Sequence, residues 1–433
     1  MRIMIGVTEI GGNIPVVAGA LRQLGHQVTT VVRQKNSWWP IEYDVDFSGR
    51  DMTIEDVLDI GYLVGTHDVF IFQWARTSLL PNHADYPFIK KAGKKIISCF
   101  VGSDVRDTGA YKQWYVDGRR FLEKLPFPED PVVNPLFSMR MAELHSEIIL
   151  SQPNQSVLGV RPYHHFFLPM ELSLYRQHIP AREVPVVVHA PSKSWLKGTD
   201  VIMAALETLK QQGVRYELRF LEGLPNDVVI KELINADVLI DELYFPLHGK
   251  LSLEGLACGC AVVNGDREDY EPFPAERPFW YVNPDNIVER LRQLLTDRDL
   301  RIRLALEGGP YMKMHHDHVR VMQRVMDKLE QGENCRCDHY PTFFTGGYRL
   351  PDGEAIPAEL VGATTQLVRR WGLPEGVNLA ETVARGLLSP DILKNEQAVP
   401  RWSRTQSGGH IFDKTSPVEL DLQPEHLREA RQI

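Results

Sequence analysis

Two α/β domains, each an open parallel sheet covered by helices on both faces, are what the first three quarters of this 433-residue sequence predicts. Short unbroken apolar runs alternate with helically spaced segments, the pattern required of strands buried on both faces of a parallel sheet. The alternation restarts at Val184 and runs through a second full series. Length agrees, since a domain usually holds roughly 100–200 residues.

Apolar runs at 2–7, 28–32, 69–73, 96–101 and 147–151 are the expected strands of the first series. Between the first two, Ile14 to Leu24 has helical spacing and stops at Gly25, a C-terminal cap. The second series predicts strands at 184–189, 216–221, 237–241, 261–264 and 279–282, with helices near 199–212, 226–235, 250–257 and 286–296. The joining segment lies near 165–183, so two Rossmann-like domains facing a cleft are expected. From Arg301 to Gln331 the pattern is helical, with a break at Gly308-Gly309-Pro310. Residues 333–433 are rich in Pro, Gly and polar residues, with brief helical pieces at 357–370 and 378–387 and no strand series. They read as an appendage with partial disorder.

Composition narrows the function. An apolar content of 43% and a charged content of 24% are those of an ordinary soluble globular protein. A formal charge of −9 argues against a general nucleic-acid binder, which needs a basic face. The basic run Lys90 to Lys95 reads as a solvated helix end. No apolar run reaches the ~18–20 residues of a membrane span. The N-terminus enters a strand with no signal-peptide pattern, so a cytoplasmic location is expected. Five cysteines form no disulfide framework, and Cys99, Cys258 and Cys260 lie in apolar runs. No metal site is expected. Cys335-Arg336-Cys337-Asp338-His339 has no common zinc spacing, Asp44-Val45-Asp46 follows no clear strand, and His315, His316 and His318 read as ordinary helix residues.

The chemistry is concentrated in residues 246–264. Gly249 opens a short apolar helix carrying Glu254, the helix stops at Gly259, and a strand from Ala261 to Asn264 follows. A helix N-terminus beside glycine presents unpaired N–H groups and positive dipole, here at Gly249, Lys250 and Leu251, and suits a phosphate. A carboxylate one turn in repels phosphate but accepts two hydroxyl hydrogens from a ribose. A nucleoside diphosphate with its ribose on Glu254 is the reading. Lys193, Lys197 and Gly198 precede another helix, where point charge and dipole add to make a diphosphate site. Gly11, Gly12 and Asn13 follow the first strand and form either a tight turn or a loop where backbone comes close to a ligand. Asp104 and Arg106 follow the fourth strand and either bind ligand hydroxyls or pair with one another. Asp241 and Gly223 end strands at the ligand-binding edge.

Gly249, Leu253-Glu254, Ala257-Cys258-Gly259 and Ala261-Val262-Val263 resemble the donor-site signature of the family 4 glycosyltransferases. The resemblance implies a GT-B fold over residues 1 to about 331 and sugar transfer from a nucleoside-diphosphate sugar, with retention and without metal or cofactor. It implies a donor domain at 171–310 opposite an acceptor-side domain at 1–170, with a helix at 311–332 crossing back and 333–433 appended. Lys197 would neutralise the leaving diphosphate and Glu254 anchor the ribose, the two residues given catalytic roles. Gly223 would cradle the base, Asp104 and Arg106 would lie on the acceptor side, and Asp241 is similar to an aspartate of some relatives. The acceptor would be a carbohydrate, a lipid-linked molecule or another small molecule, a lipid-linked one bringing peripheral membrane contact; nucleic acid is not expected. Three positions depart from the pattern: Pro246 stands where the family's first glutamate lies, Val101 where relatives often carry histidine, and Ser192 where a basic residue is usual. The first two losses motivate another reading, a non-catalytic GT-B scaffold that binds a nucleotide sugar or a partner protein; a third, a GT-B nucleotide-sugar epimerase, would need carboxylates at the donor's C2, which the sequence does not locate.

Overall fold

The structure, a computed structural model, describes residues 1–36, 39–106, 133–153, 155–244, 248–265, 277–332, 335–345 and 355–402. These divide into two compact units, residues 1–167 with 322–402, and residues 168–321. Among them no helix is long and apolar enough to cross a membrane.

The first unit is built on seven strands: β1 (Arg2–Gly6), β2 (Gln27–Val32), β3 (Val45–Asp46), β4 (Val69–Phe72), β5 (Lys95–Cys99), β6 (Ile148–Ser151) and β7 (His164–His165). Their order is β3-β2-β1-β4-β5-β6-β7, and the pairings are parallel. Ile3, Met4, Ile5, Phe70, Ile96 and Ile97 are fully enclosed, which is why the sequence shows runs instead of alternation. Strand order reverses between β1 and β4, the switch point at whose carboxyl edge α/β sheets bind ligands. There Thr8 Oγ1 meets Thr77 Oγ1 at 2.6 Å and donates to Gln34 Oε1 at 3.2 Å, tying the ends of β1, β2 and β4. Helix Ile54–Thr66 starts at a capping box, with Thr53 Oγ1 accepting from Asp56 N at 3.2 Å and Asp56 Oδ2 accepting from Thr53 N at 2.9 Å.

The segment expected as an appendage supplies part of this unit's core. Phe343, Leu360, Leu367, Val368, Leu373 and Leu387 pack with Phe70, Phe72, Tyr86 and Met139. Helix Ala358–Trp371 is fastened by buried Arg140, whose Nε donates to Thr364 Oγ1 at 2.7 Å while Nη1 donates to Glu143 at 2.6 Å. A helix needs only one apolar face to join a core, so the absence of a strand series was no sign of independence. A short parallel pair, β13 (Leu373–Pro374) and β14 (Arg401–Trp402), lies in the same region.

The second unit carries β8 (Val186–His189), β9 (Glu217–Phe220), β10 (Val238–Glu242), β11 (Ala261–Asn264) and β12 (Phe279–Tyr281) in the parallel order β12-β11-β10-β8-β9. Helix Lys250–Cys258 lies tight on this sheet: a Cβ on Gly255 would stand 2.5 Å from Leu239 Cδ2. The expected break at Gly308-Gly309-Pro310 does not occur, and helix Arg298–His315 runs through it. The glycines serve close approach, since a Cβ at Gly308 would meet Leu256 at 3.2 Å and one at Gly309 would meet Gln177 at 2.9 Å. The interruption falls at His316 and Asp317, where Met170 N donates to His316 O at 2.7 Å and His318 N donates to Met170 O at 3.0 Å. Asp317 then caps the next helix, His318–Gln331, through Arg320 N at 3.0 Å. Residues 311–332 are thus two helical pieces instead of one.

Candidate nucleotide site

Three segments converge at the carboxyl edge of the second sheet: the turn after β8, the end of β10, and the start of helix Lys250–Cys258. Gly198 joins helix Ser194–Lys197 to helix Thr199–Gln211 with φ +76°, and a Cβ there would lie 2.9 Å from Leu243 Cβ. Only glycine tolerates both the left-handed backbone and that approach. The turn delivers Lys197 to β10, where its Nζ donates to Asp241 Oδ1 at 2.9 Å and to Glu242 Oε2 at 2.6 Å. Asp241 is fully buried and takes a further hydrogen bond from Ser252 Oγ at 2.5 Å, while Asn264 Nδ2 donates to Ser252 Oγ at 3.1 Å. Burial pulls the Lys197 pKa down, but the two carboxylates more than offset it and leave it above the ordinary lysine value. Lys197 was expected as a cation for a diphosphate, and its ammonium is clasped by two acids.

Gly249 sits above this cluster, its Cβ position 3.8 Å from Asp241 Oδ2 and 4.0 Å from Glu242 Oε2. Its backbone is extended, and the first bond of the helix is Leu253 N to Gly249 O. Among the described residues no side chain caps this N-terminus. The first-turn N–H groups and the positive dipole end therefore point out of the helix beside Lys250 and Leu251.

Glu254 lies one turn further in and is only 1% exposed. Asn226 Nδ2 donates to both its oxygens at 3.2 Å, Tyr175 O–H donates at 3.5 Å, and Lys250 Nζ stands 3.9 Å away. Burial raises the Glu254 pKa, with Lys250 and Asn226 pulling partly against it. An ionised carboxylate has about four acceptor positions, so two neutral donors orient Glu254 and leave capacity for ligand hydroxyls. Sequence reasoning missed Asn226, Tyr175 and Ser252. Asn226 begins the helix after β9 at the same sheet edge, a positional signal that was available. Lys193 is exposed beside the start of helix Ser194–Lys197, and Gly223, with φ +69°, follows β9 in open space. Pro246 lies outside the described residues.

The candidates in the first unit are arranged differently. Gly11 and Gly12 have φ +64° and +72° and lead into helix Asn13–Gln23. Its N-terminus is already met by buried Glu9, whose Oε1 accepts from Asn13 N at 2.9 Å while Tyr43 O–H donates to Oε2 at 2.9 Å. Asp104 is fully buried and holds a loop, accepting from Ala75 N at 2.9 Å and Gly102 N at 2.7 Å. Arg106 Nη2 donates to Gln155 Oε1 at 3.2 Å. The Asp104 oxygens accept from backbone N–H groups and hold the loop.

Asp44 is committed to Thr30, accepting from its N at 2.8 Å, and Asp46 to Ser48 and Lys35. Among the described residues no group of three or more His, Cys, Asp or Glu is placed to hold a metal ion.

No family model and no curated protein matches this chain. Solved structures do. A sucrose-phosphate synthase from Thermosynechococcus elongatus aligns at TM-score 0.52 and 14% identity, over 76% of this chain and 98% of that one. An alpha-glucosyltransferase in complex with UDP and a 13-mer DNA containing an HMU base aligns at TM-score 0.50 and 14% identity, over 76% and 98%. The chain has the GT-B fold. In this GT-B chain the second unit offers a helix N-terminus with no side-chain cap among the described residues and a buried, oriented carboxylate within one helical turn, about 5.4 Å. That pair can take a phosphate and a diol together.

Proposed function

We propose that the chain is a glycosyltransferase of the family 4 type. It moves a sugar from a nucleoside-diphosphate sugar to a carbohydrate, lipid-linked or other small acceptor, with retention and without metal or cofactor. The observation that carries this reading is Glu254, oriented by Asn226 and Tyr175 one turn inside the helix that begins at Gly249. Ribose hydroxyls donate to Glu254 while the diphosphate takes the first-turn N–H groups. Lys250 and Lys193 add positive charge, and the absence of a Cβ at Gly249 lets the phosphate come close. An ammonium has three N–H donors, and two of those on Lys197 are engaged by Asp241 and Glu242. The third meets the leaving diphosphate as charge develops on it, the moment at which a fixed dipole accelerates transfer.

One observation favours a second reading, a non-catalytic nucleotide-sugar-binding protein: the Lys197 ammonium is already held by Asp241 and Glu242 where neutralisation of a leaving group is wanted. A panel of UDP-, GDP- and ADP-sugars, followed by thermal shift and product analysis, separates the readings. Transferase predicts a shift with slow release of nucleoside diphosphate and an unchanged rate in EDTA. Scaffold predicts a shift without turnover. Isomerised sugar nucleotide, or turnover lost in EDTA and restored by manganese or magnesium, contradicts the proposal.

A further inference from the structure

The first unit carries a second constellation at its sheet edge, independent of the nucleotide reading. Beyond the ends of β2, β3 and β4 lies a cavity of about 290 Å³ lined by Arg33, Gln34, Arg50, Arg76, Thr77 and Asn82 among others, with no carboxylate among the described lining residues. Arg50 is neutralised by a bidentate pair with Asp56 at 2.7 and 2.5 Å. Arg33 is not: its Nη1 donates to the backbone carbonyl of Leu79 at 2.6 Å. Arg76 Nε donates to the backbone carbonyl of Asp104 at 3.0 Å. The Leu79 carbonyl orients the Arg33 guanidinium without cancelling its charge. Gln34 accepts from Thr8 through Oε1 at 3.2 Å, which leaves its amide N–H₂ as donor.

The cavity's rim is also strained. Asn82 and His83 are consecutive non-glycine residues in the left-handed region, φ 55° and 57°, an arrangement that persists only where surroundings enforce it. Here His83 Nε2 contacts Ala75 O at 2.6 Å, and Asp85 Oδ2 accepts from Leu79 N at 3.0 Å. The same Leu79 orients Arg33, so the loop and the cation form one rigid frame. A rigid guanidinium fork with neighbouring neutral amide donors matches a tetrahedral oxyanion.

We propose that this cavity binds the phosphate group of a small phosphorylated molecule, with Arg33 as the principal cation and Arg76, Gln34 and Asn82 as further donors. The test is calorimetric titration of the full chain at low salt with inorganic phosphate and with glucose 6-phosphate. It uses the wild type, Arg33→Gln and Asn82→Asp. Both probes are expected to bind the wild type, and Arg33→Gln should weaken both about tenfold or more, as losing a hydrogen bond to a charged group does. Because Arg33 also braces Leu79, Asn82→Asp serves as the second variant. Aspartate tolerates the left-handed backbone and places a negative charge in the cavity, so binding should be lost with the unfolding midpoint unchanged. Nucleoside-diphosphate binding should survive in both variants, which keeps failure here distinct from failure of the nucleotide site. Wild type that binds neither probe, variants that bind them unchanged, or variants that lose nucleoside diphosphate instead, would overturn the assignment.

Discussion

Both units pass from a sheet edge into a helix led by glycine, yet the two N-termini are finished in opposite ways. In the first unit Glu9 precedes the helix and places its carboxylate on the Asn13 N–H at 2.9 Å, with Tyr43 holding the other oxygen. The chain itself supplies the anion that the dipole attracts, and a phosphate would meet like charge. In the second unit the glutamate comes after the turn, at Glu254, and faces Asn226 and Tyr175. Its N-terminus has no side-chain cap among the described residues. A glycine-rich turn is therefore not by itself a phosphate loop; the position of the nearest acid decides what the dipole is left to bind.

That contrast can be broken in several ways, beginning with the second unit's foundation. Lys197→Met leaves Asp241 and Glu242 buried without their cation and should cost about 3–5 kcal/mol of folding stability in denaturant unfolding. Adding Asp241→Asn and Glu242→Gln should recover most of it. A loss below about 1 kcal/mol, the level of a surface pair, would show that the cluster does not brace the loop. Next, Glu254→Ala should weaken nucleoside-diphosphate binding by about 1.5–3 kcal/mol, the range for hydrogen bonds to a charged group. Calorimetry with unchanged affinity would remove Glu254 from the site.

The first unit should respond in stability instead. Glu9→Ala removes a helix cap and should cost about 1 kcal/mol of folding stability, with nucleotide affinity untouched. If affinity falls as it does in Glu254→Ala, the two N-termini are not different in kind. The smallest effect is a pH dependence. Burial raises the Glu254 pKa above the ordinary carboxylate value, and ribose hydroxyls donate to the ionised form. Nucleotide affinity should therefore be full above that raised pKa and fall as pH drops through it. Glu254→Gln should lose this acid-side decline, and an identical profile in the variant would assign the titration elsewhere.

The strands were legible because doubly covered parallel strands leave unbroken apolar runs, and all ten expected strands correspond to observed ones. β3 and β7, two residues each, are too short to leave such a run. Helix Arg298–His315 was misjudged because glycines that allow contact with Leu256 and Gln177 look like breakers in isolation. The C-terminal region was misjudged because Leu360, Leu367 and Val368 lie on a helix whose partner, helix Val133–His145, is remote in sequence, the Arg140 to Thr364 bond spanning 224 residues. At the site, Gly249 and Glu254 were legible since helix, glycine and acid lie within a few residues. The clasp on Lys197 was not, because Asp241 and Glu242 reach it from 44 and 45 residues along the chain through the adjacency of β8 and β10. For the same reason Tyr175 carried no local signal as a partner of Glu254, and Asn226 carried only its place at the sheet edge.

The most direct test of the claim that the second helix N-terminus receives the phosphate is amide hydrogen exchange with saturating UDP or GDP, each run separately. First-turn amides of an uncapped helix exchange freely until a ligand takes them. New protection is expected at residues 250–252, with the amides of residues 12–14 and 16 unchanged. Protection at 12–16 with none at 250–252 would contradict the assignment.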